Sequence, residues 1–208
     1  MSLLAGEWTS TRSASTNPGV GGEKTKIDSR NLTLTAVFAA LYVVINVLQM
    51  VSVGNPTVYG PIQLRVADCL IALVVLFGWP AVGGVTLGCF LTNAYYLLGY
   101  QDVILGPIAN LIAGITILLL RRHRFIACAA GALPIGLVVG AYLSIFFPFL
   151  NPPEMLNALP ATVAMIVSLT ISSLIAIAGI GYLLLTALNR PSIMKPLKSH
   201  GLKTVDDA

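Results

Sequence analysis

Residues 32–53 read LTLTAVFAALYVVINVLQMVSV, an apolar run without a single charged side chain. About 20 such residues are what an α-helix needs to cross the hydrocarbon core of a bilayer. The run shows no sustained period-two alternation, so a membrane β-strand does not fit it. A helix satisfies its own backbone groups in lipid, and a helix is the reading adopted. Further apolar segments follow at about 62–77, 81–98, from just after Asp102 to Leu120, 125–150 and 156–188. Pro107, Pro134 and Pro160 fall inside or beside them, which membrane helices tolerate. The expected fold class is therefore an all-α integral membrane protein, a bundle of six transmembrane helices.

Bulk composition agrees. The chain has 208 residues, of which 56% are hydrophobic and 10% charged, with mean hydropathy +0.86. Soluble domains carry about 25% charge, and a water-soluble fold this apolar lacks the polar groups to cover its surface. Residues 1–30 are polar, carry no cleavable apolar leader, and read as a flexible N-terminal tail. Residues 31–190 form the membrane domain, and 191–208 a C-terminal tail.

The net charge of +4 does not indicate nucleic acid, because the cations are segregated. Lys24, Lys26 and Arg30 precede the first segment. Arg121, Arg122 and Arg124 lie between the fourth and fifth, and Arg190, Lys195, Lys198 and Lys203 follow the sixth. With six spans these all face one side, which the positive-inside rule makes cytoplasmic, so both termini are expected there in a multi-pass cell-membrane protein. Cys69, Cys89 and Cys128 are odd in number and widely spaced, which indicates neither a disulfide frame nor a zinc site. They read as small thiols inside helices.

Polar residues inside the apolar segments mark where chemistry is expected. Arg65 and Asp68 are three apart and share a helix face. Ionisable groups in a membrane segment are costly and face a bundle interior or a wet cavity. They form a polar ligand site near the outer mouth, or an ion pair that fixes the helix end. Asn93, Gln101, Asp102 and Asn110 fall at the same membrane side. Singly, such amides link helices by hydrogen bonds, and Asp102 can cap a helix. Tyr59, Tyr95, Tyr96, Tyr100, Tyr142, Phe146, Phe147 and Phe149 gather there as well. They form either an interfacial belt or a stacking platform for a flat heterocycle.

Small residues four apart at Ala36/Ala40, Gly84/Gly88 and Gly136/Gly140 permit close helix approach. The sequence holds no Gly-x-x-x-x-Gly-Lys-Ser/Thr loop for ATP, no His-Glu-x-x-His and no Gly-x-Ser-x-Gly turn. His123 and His200 lie in basic segments. An enzyme is not expected, and no cofactor is indicated. A self-contained channel or secondary transporter would favour an internal repeat, and none is found.

The run Pro61-Ile62-Gln63-Leu64-Arg65-Val66-Ala67-Asp68, followed by Gly84, by Gly88-Cys89-Phe90-Leu91-Thr92-Asn93, and by Asp102 and Gly106, resembles the QueT-type substrate-binding components of energy-coupling-factor importers. One departure is Asp68, where Glu is expected. The resemblance covers about 32–188. It implies a six-helix fold with cytoplasmic termini and a pocket open to the outside. It implies a transmembrane coupling subunit and two ATPase subunits as partners, with Ala36 and Ala40 meeting the coupling subunit. The implied cargo is a queuosine precursor, a 7-deazaguanine, while some similar components take cobalamin or another vitamin. The expected substrate-binding residues are Gln63, Arg65, Asp68, Asn93, Gln101 and Asp102, with Tyr59, Tyr96 or Phe147 covering the ring face.

Overall fold

The computed structural model describes residues 29–53, 64–147, 156 and 158–199. Among them every regular element is helical. Helix α1 spans Ser29–Val53. Helix α2, Val66–Phe77, winds as a 3₁₀ helix over Val66–Leu73 and as an α-helix over Val74–Phe77. Helices α3 (Trp79–Tyr96), α4 (Tyr100–Leu120) and α5 (Arg124–Phe146) follow through short turns. Helix α6, Ala161–Leu188, is α-helical at both ends with a π-helical stretch, Leu174–Gly181, between them. A short helix α7, Pro191–Ser199, occupies part of the expected C-terminal tail.

Among the described residues four helices, α1, α4, α5 and α6, are long and apolar enough to cross a membrane. The expected six spans are thus not reached on length and composition. Helix α2 is too short, and α3, which carries Gly83, Gly84, Gly88 and Asn93, is less apolar. The burial of α2 explains its length. Every residue from Ala67 to Leu76 is buried, so this segment is enclosed by protein on all sides. A helix that is apolar all round is a buried one, and it need not match the bilayer thickness as a lipid-facing helix must.

Elsewhere the distribution is that of a protein in lipid. Leu32, Leu48, Leu119, Leu137 and Leu183 are exposed, whereas Asn46, Asp68, Asn93, Asp102, Asn110, Ser168 and Ser172 are buried. Polar side chains cost least where other helices satisfy them, so they turn inward.

Glycines set the closest helix contacts. A Cβ on Gly84 would fall 2.7 Å from the Thr35 carbonyl oxygen, and one on Gly88 would fall 2.7 Å from the Tyr42 Cβ and 2.9 Å from the Ala39 carbonyl. The Gly84/Gly88 pair is therefore the surface on which α1 lies against α3. Gly136 and Gly140 do the same for α5 against α6, where a Cβ would meet the Cα of Thr170 at 2.7 Å and of Ile166 at 2.6 Å. Ala36 and Ala40 take no part in these contacts. They are exposed on the opposite side of α1 from the buried Phe38, Ala39 and Tyr42.

The turn between α2 and α3 uses Gly78 at φ 63°, a conformation that side chains disfavour. At the other end of the bundle, Leu97 closes α3 in the left-handed region, its N–H bonded to the Asn93 carbonyl at 2.9 Å.

Candidate ligand-binding site

The polar interior begins on α1. Tyr42, Asn46 and Gln49 follow one face at spacings of four and three residues. The Gln49 side chain receives the Val66 N–H at 3.0 Å and donates to the Leu64 carbonyl at 2.5 Å. These two bonds fix the chain as it enters α2. The 3₁₀ turn then closes with the Asp68 N–H on the Arg65 carbonyl at 3.2 Å. This winding sends Arg65 and Asp68 toward different neighbours.

Arg65 reaches α3. Its guanidinium donates to Asn93 Oδ1 at 2.9 Å and approaches Cys89 Sγ at 3.8 Å. Asp68 turns to α1 and accepts the Tyr42 hydroxyl on Oδ1 at 2.7 Å, while Tyr42 in turn accepts Asn110 Nδ2 from α4 at 3.0 Å. The two charges are therefore held by different helices, which does not match a simple ion pair serving only itself.

A second limb starts at Asn93. Its Nδ2 donates to the Asp102 carbonyl at 2.9 Å. Gly106 makes this possible, since a Cβ there would collide with Asn93 Nδ2. The Asp102 side chain accepts the Tyr142 hydroxyl from α5 at 2.5 Å. With 3%, 1% and 3% of their surfaces exposed, Asp68, Asn93 and Asp102 have left water. Unpaired burial of such groups would cost several kcal/mol each, so these hydrogen bonds are what makes the site tenable.

Between this network and α5 and α6 lies a cavity lined by Arg65, Asp68, Ile135, Val139, Leu169, Ser172 and Ser173. Its volume is about 20 Å³, room for a water and not for a ring. Arg65, Asp68, Ser172 and Ser173 supply polar groups beside the aliphatic Ile135, Val139 and Leu169, the mixture found in small-molecule sites.

Of the expected site residues, Arg65, Asp68, Asn93 and Asp102 come together. Phe147 is buried against the α3–α4 turn, its ring edge where a Cβ on Gly99 would sit. Gln101 is exposed and Tyr96 half-buried at the rim of the same end. Tyr59 and Gln63 lie outside the described residues. The three cysteines are free and buried, as expected of thiols inside helices.

Sequence reasoning did not assign Tyr42, Gln49, Ser172 or Ser173, and it read Asn110 as a helix-linking amide and Tyr142 as part of an aromatic belt or platform, not as partners of the carboxylates. A signal existed for the first two: polar residues recurring on one face of an otherwise apolar helix. Ser172 and Ser173 gave none, because small hydroxyl residues are common in membrane helices and often bond their own backbone, as Ser172 does to the Ser168 carbonyl at 2.9 Å.

Neither a curated protein nor a solved structure matches this chain. Residues 32–190, well over half of the chain, match the QueT transporter family. That stretch starts within α1, runs to the end of α6, and contains each residue of the polar network. A membrane transport protein, not an enzyme, is what the apolar helices and this match together describe, and the chain belongs to the QueT transporter family.

Proposed function

We propose that this transporter is the substrate-binding subunit of an energy-coupling-factor importer and captures a 7-deazaguanine from outside the cell. The observation that carries the reading is the convergence of Arg65, Asp68, Asn93 and Asp102 in the interior at one end of the bundle. A 7-deazaguanine presents a carbonyl acceptor beside two N–H donors on its edge, with a flat apolar face. Arg65 donates to the carbonyl, and the free oxygen of Asp68 accepts from the N–H edge. Ile135, Val139 and Leu169 offer the ring a non-polar wall. The cationic Arg121, Arg122 and Arg124 occupy the opposite end of α4 and α5, which supports an outward-facing site by the positive-inside rule.

Uptake then requires a coupling subunit and two ATPase subunits, since the chain has no nucleotide-binding loop of its own. Ala36 and Ala40, exposed on α1, are the proposed contact with the coupling subunit, and their small side chains allow close backbone approach. The decisive experiment purifies the chain alone and identifies any retained small molecule by mass spectrometry, with calorimetry against 7-deazaguanine. Tight cobalamin binding with indifference to 7-deazaguanines would overturn the cargo. Energised uptake by this chain alone in proteoliposomes would overturn the dependence on partners. Ala36→Leu or Ala40→Leu is expected to weaken assembly with the coupling subunit and to leave ligand affinity intact.

A further inference from the structure

Residues 64–68 carry Arg65 and Asp68 of the candidate site, and three hydrogen bonds hang this segment on α1. Gln49 takes the Val66 N–H and gives its own N–H to the Leu64 carbonyl, and Tyr42 gives its hydroxyl to Asp68. Tyr42 and Gln49 are seven residues apart, two helical turns along one face. From these contacts we infer that Tyr42 and Gln49 are the positioning residues of the site and set where Asp68 and Arg65 meet a ligand. The inference rests on the proposed ligand site.

The chemistry of the chain of contacts is directional. An amide nitrogen can only donate, so Asn110 Nδ2 uses a lone pair of the Tyr42 oxygen. The Tyr42 proton is thereby left for Asp68, and it lands on Oδ1. One carboxylate oxygen is held by the protein, and Oδ2 is the one left for a ligand N–H. Tyr42 cannot drift, because it is fully buried and its Cβ lies against Gly88. Gln49 acts on the backbone. It holds the residues on either side of Arg65, so the guanidinium starts from a fixed root. The site therefore depends on two uncharged side chains of α1 that need touch no ligand.

The test uses the full chain in nanodiscs with 7-deazaguanine as probe. Tyr42→Phe removes only the hydroxyl, and Gln49→Met keeps the length without hydrogen bonds. Each is expected to weaken 7-deazaguanine binding about tenfold, the scale of one hydrogen bond to a charged or buried group. In an Asp68→Asn background, Tyr42→Phe is expected to cost less than about twofold more, because residues acting through one another are non-additive. Equal losses in both backgrounds, or unchanged binding by both single variants, would overturn the inference. If Tyr42→Phe does not fold, Gln49→Met decides alone. If the parent chain ignores 7-deazaguanine, the cargo reading fails, and the positioning role is read without ligand. Infrared difference spectra of ¹³C-aspartate-labelled protein then compare Tyr42→Phe with its parent, with and without Asp68→Asn. A carboxylate band that moves only when Asp68 is present supports the role, and a band that stays in place overturns it.

Discussion

At the scale of single residues, the interior separates groups that are satisfied from one that is not. Asp68 lines the cavity and has one oxygen bonded by Tyr42, so its proposed ligand role is separable from its structural role. Asp68→Asn is expected to lower ligand affinity by about 1.5–3 kcal/mol, the range for a charged hydrogen bond, as measured by calorimetry. Lower thermal stability with unchanged affinity would instead make the carboxylate structural. Thr86 is the opposite case. Thr35, Thr92, Thr116, Thr170 and Thr186 each bond the carbonyl four residues back, but Thr86 Oγ1 is buried with no hydrogen-bond partner among the described residues. An unsatisfied buried hydroxyl costs about 1–3 kcal/mol. The isosteric Thr86→Val is therefore expected to leave the thermal midpoint unchanged or raise it, and a clear drop would mean the hydroxyl is used. Arg65, Asp68, Asn93 and Asp102 were legible in the sequence because ionisable and amide groups stand out against an apolar background. Their partners were harder to read. A tyrosine at an apolar-helix position, such as Tyr42 or Tyr142, looks the same whether it faces lipid, a belt or a buried carboxylate.

At the scale of elements, small-residue spacing located helix contacts that hydropathy did not. Gly84/Gly88 and Gly136/Gly140 are contact faces, while Ala36/Ala40, with the same spacing, is exposed. Spacing alone does not say which neighbour a face meets. Gly83 and Gly84 provide a local test. A Cβ on Gly83 meets only the Thr35 side chain at 3.5 Å, whereas one on Gly84 runs into the backbone of α1. Gly83→Ala is expected to be neutral or to stabilise by up to about 1 kcal/mol through helix propensity. Gly84→Ala is expected to cost about 1–3 kcal/mol by forcing α1 away, and thermal unfolding of the two variants compares them directly. The winding of α2 and α6 was not legible. An all-apolar segment carries no periodic mark to tell a 3₁₀ or π turn from an α turn, and the choice falls to packing. The two irregular stretches pack on each other, with Gly181 at the Cys69 carbonyl and against Ala72.

At the scale of the molecule, the all-helical class was readable from composition and from run length. The count of spans was not, because run length cannot distinguish a lipid-facing helix from α2, which is sheathed by protein. The proposed orientation rests on charge and is open to direct measurement. Gln101 and Arg122 are exposed at opposite ends of α4 and its following turn, and the native cysteines are buried. A single cysteine at Gln101 is expected to react with an impermeant maleimide added outside intact cells, and one at Arg122 only after permeabilisation. The reverse pattern would invert the topology and place the site toward the cytoplasm.

The cavity of about 20 Å³ bears on the timing of the proposed capture. An apolar cavity that admits benzene measures about 150 Å³, so as the described residues line it this cavity takes a purine-sized ring only with a wall displaced. Arrival is then expected to be gated by that displacement. The observed capture rate is expected to level off as 7-deazaguanine concentration rises, at the frequency of that opening, when followed by stopped-flow fluorescence. A rate that climbs linearly without limit would mean the entrance stands open. Departure of the proposed cargo is expected to pass through the same opening, which would give it a long residence.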